Sequence, residues 1–331
     1  MTHASKFGES SNPSTNIAII GEAMVEISGY EPELERATIR YSGDTLNTAV
    51  YLARLTNPAK VKISYLTGLG KDSFSSHMVN FIRSEGLDAS KIEFNDDKLP
   101  GMYTISVDER GERSFEYWRR DSAAASLSAD AVNIDALKEY DVVYLSGITL
   151  AVLEPEARTS LIEACRAVRN SGRYVVFDSN FRGTLWHDLS TAKDCYERML
   201  TATVLALPTL DDFSELLPGA NAAELIAWLS KLGVAETCLK QGTRPPIVWA
   251  DGHQEQIACK FVDDPKDTTA AGDSFSAGYI ASRLRGASPL DSAVRGHEVA
   301  SFVVQHNGAI VSKSEWNRSS FVELVDKSLS E

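Results

Sequence analysis

Short apolar runs alternate with helical stretches along most of this chain, and that rhythm limits the fold more tightly than any single residue does. Ile17–Ile20, Val61–Leu66, Val142–Ser146, Tyr174–Asp178, Val204–Leu207 and Thr237–Lys240 read as strands. Residues 44–55, 73–85, 154–170, 190–200, 221–232, 273–285 and 289–306 carry helical spacing. Strands alternating with helices predict βαβ units, hence an α/β fold with a mostly parallel sheet covered on both faces. A chain of 331 residues with 43% apolar content can bury such a core, as one large domain or as a large domain with a small accessory one.

Two stretches break the rhythm. Residues 24–41 and 101–118 contain alternating patterns, Met24-Val25-Glu26-Ile27 in the first and Arg113-Ser114-Phe115-Glu116-Tyr117 in the second. These predict antiparallel hairpins with Gly29 and Gly111 in their turns. Residues 1 to 15 are rich in Ser, Asn, Thr and Pro without apolar periodicity, so a disordered lead-in is expected, with the folded domain spanning 16–331.

Composition removes several functions. The net charge is -13 and no basic run is longer than Arg119-Arg120, which argues against a nucleic-acid partner. No apolar segment approaches the roughly 18 residues of a membrane span. Cys165, Cys195, Cys238 and Cys259 lie far apart and no basic-then-apolar leader opens the chain, a combination that predicts a reduced, cytoplasmic protein. The histidines lack ligand spacing, so no transition-metal site is expected.

Chemistry gathers at Asp267-Thr268-Thr269-Ala270-Ala271-Gly272-Asp273-Ser274-Phe275-Ser276-Ala277-Gly278. The helical pattern after Asp273 puts Ala270 to Gly272 at a helix N-terminus, where free N–H groups and the helix dipole favour an anion and small side chains admit it. Asp273 would repel that anion unless it removes a proton from an attacking hydroxyl while the backbone donors hold the charge on the transferred group. Asp273 as a plain helix cap beside a turn glycine remains open on this segment alone.

Asp-Thr-Thr-Ala-Ala-Gly-Asp resembles the C-terminal signature of the ribokinase-like (PfkB) sugar kinases, with Ala270 in place of the commoner glycine. Tyr41-Ser42-Gly43-Asp44-Thr45-Leu46-Asn47-Thr48-Ala49 and Thr67-Gly68-Leu69-Gly70-Lys71-Asp72-Ser73-Phe74 resemble the family's N-terminal glycine-rich segments. The resemblance implies a ribokinase-like three-layer sandwich with a small β lid, formed by about 24–42 and 101–119, that closes over the sugar and serves as a homodimer interface. Within the family, Gly43–Asn47, Leu99–Tyr103, Gly111–Arg119 and Asp178–Arg182 resemble the branch acting on 2-keto-3-deoxygluconate.

That likeness implies transfer of the γ-phosphoryl of ATP, accompanied by Mg²⁺, to the C6 hydroxyl of this sugar acid. It assigns the base to Asp273, with Ala270, Ala271 and Gly272 as backbone donors. Gly43, Asp44, Asn47, Tyr103, Tyr117, Arg119 and Arg182 would bind the sugar acid, the arginines suiting its carboxylate. Asn180, Arg182, Lys240, Gln241, Gly242, Thr243 and Gly272 would hold the nucleotide, since no Walker A pattern occurs. Thr209-Leu210-Asp211-Asp212 replaces the family's magnesium-associated Asn-x-x-Glu, with Asp212 as the remaining carboxylate. Tyr117, Arg119 and Asn47 each also admit a plain packing or capping role. Fructose or a keto-deoxy-galactonate as substrate, and a non-catalytic sugar sensor on the same fold, are the alternatives.

Overall fold

The computed structural model describes residues 14–107 and 113–322. Most of the expected lead-in falls outside the described residues, but its last position is structured, because the first strand begins at Thr15. In chain order the strands are β1 (Thr15–Ile20), β2 (Met24–Glu31), β3 (Arg36–Ser42), β4 (Val61–Leu66), β5 (Gly68–Leu69), β6 (Glu93–Phe94), β7 (Gly101–Val107), β8 (Arg113–Trp118), β9 (Val142–Ser146), β10 (Tyr174–Asp178), β11 (Leu205–Ala206), β12 (Glu236–Gln241), β13 (Arg244–Ala250) and β14 (His253–Gln256). Eight form one sheet in the order β14-β13-β12-β11-β10-β9-β1-β4. Its pairings from β4 to β12 are parallel, and only β13 and β14 join antiparallel.

Successive residues of a strand point to opposite faces, so strands apolar at every position demand cover on both sides. Ile17 and Ile19 of β1, Tyr144 of β9 and Val176 of β10 enter one apolar core. Ala18, Ile20, Val143, Leu145, Val175 and Phe177 enter a second core on the other face. The three-layer sandwich follows directly. The strand order also changes direction at β1, whose neighbours are β4 on one side and β9 on the other. Connections diverging from such a switch point leave a crevice at the carboxyl ends of the strands, and the site lies there.

A second sheet, in the order β3-β2-β7-β8, consists of two antiparallel pairs joined by parallel β2 and β7. Both expected pairings exist, but the first turn is not at Gly29. Gly29 sits inside β2 with φ 60°, where the register shifts between Ser28 and Glu31, and the chain turns through Pro32–Leu34. The glycine's left-handed conformation serves a bulge rather than a turn. Gly111 lies outside the described residues.

The strands β13 and β14 had no counterpart in the sequence pattern, because Pro245 and Pro246 argue against a strand interior. The register shift between Leu239 and Gln241 falls opposite these prolines, where their missing N–H groups break no ladder bond. All seven expected helices occur; Ala271–Leu284 starts two residues earlier than its pattern and Pro289–Val303 stops three residues sooner.

The helix Ala271–Leu284 is buried continuously from Ser274 to Arg283. Its tightest neighbour is the helix Pro289–Val303: a Cβ on Gly278 would stand 3.0 Å from both Gly296 Cα and Val299 Cγ2. Gly278→Val is therefore expected to overpack this crossing and cost about 1–3 kcal/mol. A urea titration should show a lower midpoint with an unchanged slope.

Candidate active site

A cavity of about 670 Å³ lies between the carboxyl ends of the central strands, the start of Ala271–Leu284 and the inner face of the small sheet. Gly43, Asp44, Asn47, Tyr103, Tyr117, Arg119, Asn180, Arg182 and Ala270 to Asp273 all line it, although they come from five separate chain segments. A second cavity of about 330 Å³ is lined by Gln241, Gly242 and Thr243, and by Phe261, Val262, Ala300 and Val304. The two cavities share Thr209, Lys240, Thr268, Ala271 and Gly272. One wall, the helix N-terminus, thus faces both a polar chamber and a mainly apolar one.

Local conformation at that wall is set by side-chain bonds. Asp267 accepts from Thr269 N at 2.9 Å and from Gly308 N at 2.7 Å, which ties the turn to the loop after Pro289–Val303. Ala270 then adopts φ 61° and ψ 16°, the left-handed conformation in which a residue with a Cβ is strained. Ala271 N–H turns back to Thr268 O at 3.2 Å, so it is not the outward donor that its position at the turn suggests. The N–H of Gly272, in the first helical turn, has no intrahelical acceptor and can face an anion. A Cβ on Gly272 would be 3.6 Å from Lys240 Nζ, so an anion at this point would meet an ammonium as well.

Asp273 accepts from Asn47 Nδ2 at 2.8 Å, and Ser42 Oγ donates to Asn47 Oδ1 at 3.2 Å, fixing which way the amide points. Asn47, expected at substrate hydroxyls, lines the cavity, and its amide orients the carboxylate. Asp273 keeps part of its surface open to the cavity yet is ringed by protein. Burial, and next the charge of Asp44, push its pKa well above the ordinary carboxylate range, while the Asn47 bond opposes them. Asp44 is raised too, chiefly by burial, and accepts from Asn180 Nδ2 at 2.9 Å. Asn180, expected at the nucleotide, is engaged with a sugar-side carboxylate, and its φ of 28° marks a strained backbone.

Behind the shared wall, Lys240 Nζ pairs with Asp178 Oδ2 at 2.7 Å, and Ser276 Oγ donates to the same oxygen at 2.8 Å. Arg182 is half-exposed, donates to Phe181 O at 2.6 Å and lies 3.5 Å from Asp212 Oδ1. Burial raises the Asp212 pKa, and Ser179 Oγ donates to its Oδ2 at 2.6 Å. On the small sheet, Tyr103 and Tyr117 stack with centroids 5.6 Å apart, Tyr103 OH donates to buried Glu26 at 2.5 Å, and Arg119 pairs with buried Glu22.

Not every motif residue reaches the site. Gly68 and Gly70 are glycines because a Cβ would overlap the carbonyls of Ala123 and Lys98, so this segment packs against the chain around the small sheet. Conversely, Glu22, Glu26 and the apolar lining residues Phe261, Val262, Ala300 and Val304 were not anticipated. The carboxylates carried a readable signal, since Glu22 and Glu26 each interrupt an apolar stretch, Glu22 between β1 and β2 and Glu26 within β2; the lining residues carried none.

A raised folded-state pKa means that Asp273 is more ionised in the unfolded chain at intermediate pH. Its contribution is therefore most favourable where both states are protonated, and it declines as pH rises from the ordinary carboxylate range through the raised value. Asp273→Asn should raise the thermal midpoint at neutral pH, and the gain over the parent should shrink on acidification. A loss of stability at neutral pH would contradict the buried-charge account.

The fold and this two-chamber site define a phosphoryl-transfer enzyme class. The sequence pattern of the pfkB family carbohydrate kinases matches residues 14–316, and the chain belongs to that family. It is 42% identical over 304 residues to the 2-dehydro-3-deoxygluconokinase of Dickeya dadantii, covering 89% of this chain and 96% of that one. It is 41% identical over 307 residues to the enzyme of the same name from Escherichia coli K12, covering 91% and 98%. Among solved structures, an E. coli protein provisionally named ribokinase II, in complex with ATP and Mg²⁺, superposes with a TM-score of 0.79 at 21% identity, over 96% of this chain and all of that one. At that identity the likeness is one of fold.

Proposed function

We propose that this chain transfers the γ-phosphoryl group of ATP to the C6 hydroxyl of 2-keto-3-deoxygluconate, also called 2-dehydro-3-deoxygluconate, giving the 6-phosphate. The observation that carries the proposal is the junction of an apolar chamber and a polar chamber at one helix N-terminus beside a buried carboxylate. The names of the relatives above supply the sugar acid.

The second cavity fits a nucleotide: its apolar walls suit a purine, and it opens onto Gly272 N–H and Lys240, which suit phosphates. Mg²⁺ fits as an ion carried by the nucleotide, because no group of three ligating side chains is found among the described residues. Asp212 and Thr209, on the cavity walls, would hold its water shell, and the ion would supply neutralisation of the β and γ oxygens.

The chain's own residues then act as follows. Asn47 holds one oxygen of Asp273, so the carboxylate presents the other to the C6 hydroxyl and takes its proton. The raised pKa brings that base closer to the working pH, where it is most effective. Gly272 N–H and the helix dipole stabilise charge growing on the transferred group. Asp44 and Asn180 bind hydroxyls, Tyr103 and Tyr117 wall the sugar, and Arg119 and Arg182 face its carboxylate. The small sheet acts as a lid that excludes water, which would otherwise accept the phosphoryl group.

A second copy of the chain covers the small sheet in this reading, since Tyr30, Ile39 and Trp118 leave 65%, 51% and 55% of their surfaces exposed. Four unpaired cysteines agree with a reducing, cytoplasmic setting.

ADP release with Mg-ATP should be selective for 2-keto-3-deoxygluconate over its galactonate epimer, fructose and ribose. Preference for a neutral sugar would keep the kinase and overturn the arginine roles; no turnover of any would favour a sugar sensor. Asp273→Asn should lower kcat by roughly 10²–10⁴-fold with ATP binding retained by calorimetry. Retained turnover would remove Asp273 as the base.

A further inference from the structure

We propose that Glu22 is a positioning residue for recognition of the sugar acid, acting through Arg119 at the hinge between the two sheets. This rests on the reading above that Arg119 contacts the substrate carboxylate.

The described chain passes between the large and small sheets four times, and every crossing touches Glu22. The first crossing is Glu22 itself, between β1 and β2. The second is Gly43, with φ 151°, where a Cβ would overlap the Glu22 carbonyl oxygen. The third is Gly101, where a Cβ would stand 2.5 Å from Glu22 Oε1. The fourth runs from Arg119, whose guanidinium pairs with Oε2, to Ser122, whose Oγ donates to Oε1 at 2.5 Å.

A carboxylate only 2% exposed is costly unless its partners are held in place, and these partners are the two strand ends of the small sheet. Burial pushes the Glu22 pKa up, and Arg119 and Ser122 oppose that. The guanidinium is planar, so the ion pair of one terminal nitrogen with Glu22 Oε2 restricts the directions open to its remaining donors. Arg119 lines the sugar cavity, so the carboxylate that holds its guanidinium also fixes the cation at that wall. Glu22 thereby sets both the seat of the lid and the aim of the cation that reads the acid. The nucleotide chamber lies on the far side of the helix N-terminus, so ATP should not sense it.

Steady-state kinetics of Glu22→Gln, Gly101→Ala, Arg119→Ala and the double variant Glu22→Gln/Arg119→Ala test this, with 2-keto-3-deoxygluconate and ATP varied in turn. Glu22→Gln should raise the KM for the sugar acid about tenfold and leave that for ATP within about twofold. Gly101→Ala keeps both charges and pushes a methyl against Oε1; it should move the same KM in the same direction, and it preserves the test if Glu22→Gln folds poorly. In the Arg119→Ala background, Glu22→Gln should change the sugar-acid KM by less than about twofold. Equal effects on both substrates, or a full effect persisting without Arg119, would make Glu22 a structural residue and overturn the inference while leaving the kinase reading intact. An unchanged sugar-acid KM in Arg119→Ala would instead overturn the substrate role of Arg119, and the inference with it.

Discussion

The helix Ala271–Leu284 is enclosed by protein along ten consecutive residues, so its N-terminal end is placed by packing rather than by the loop that precedes it. Gly278 and Gly296 let it approach Pro289–Val303 closely, and Ser276 reaches across to the Asp178–Lys240 pair at the ends of β10 and β12. Both chambers are therefore referred to one rigid element. A base and an anion-binding N–H that must act on the same phosphoryl group need fixed separation, and two residues adjacent on one buried helix provide it. Asp267 completes the arrangement by clamping the preceding turn to the loop at Gly308, which helps hold Ala270 in its left-handed conformation.

The second constraint is electrostatic. Glu22, Glu26, Asp44, Asp178, Asp212 and Asp273 crowd around one cavity in a chain of net charge -13. Each of the six has a designated partner: Arg119 and Ser122, Tyr103, Asn180, Lys240, Ser179, and Asn47 respectively. Asp44 and Asp273, whose partners are neutral amides, line the cavity together with Asp178 and Asp212, and burial raises the pKa of Asp44, Asp212 and Asp273 alike. Chemistry is thus concentrated where compensation is weakest, as expected when function and stability compete for the same groups. An acidic substrate entering such a site cannot rely on a favourable overall field; it needs cations aimed at one end of it, far from Asp273.

How much of this the sequence discloses depends on whether the signal is local. The parallel sheet was legible because β1, β9 and β10 are apolar at consecutive positions, which only a doubly covered strand tolerates. The turn at 267–273 was legible because small residues running straight into a helical pattern mark a helix N-terminus that has to stay uncrowded. By contrast, β13 was hidden by Pro245 and Pro246, whose acceptability depends on a bulge in β12. The bond of Asn47 to Asp273 was not legible because the two lie 226 residues apart. The apolar chamber was invisible for the same reason: Phe261, Ala300 and Val304 look like ordinary core or loop residues until the helix Pro289–Val303 is folded beside β13.

The architecture separates two tasks that a sugar kinase must perform. The turn at 267–273, Asp273 and the apolar chamber, to which the proposed function gives the anion, the base and the nucleotide, belong to the large sheet and its buried helix. In the proposed reading the sugar is faced from both parts: by Tyr103, Tyr117 and Arg119 from the small sheet inserted at the carboxyl edge of the large one, and by Asp44, Asn180 and Arg182 from the large-sheet side. Insertions at that edge can vary without disturbing either core, which lets one phosphoryl-transfer frame serve different acceptors. The small sheet rests on the large domain through Val25, Ile27, Tyr41 and Met102, and its orientation is further fixed at the crossings. One of those crossings is Glu22 itself, two are glycines whose missing side chains make room for it, and the fourth is closed by an ion pair and a hydroxyl on the same carboxylate. Selectivity in such a design is set as much by how the insert is seated as by which side chains it carries.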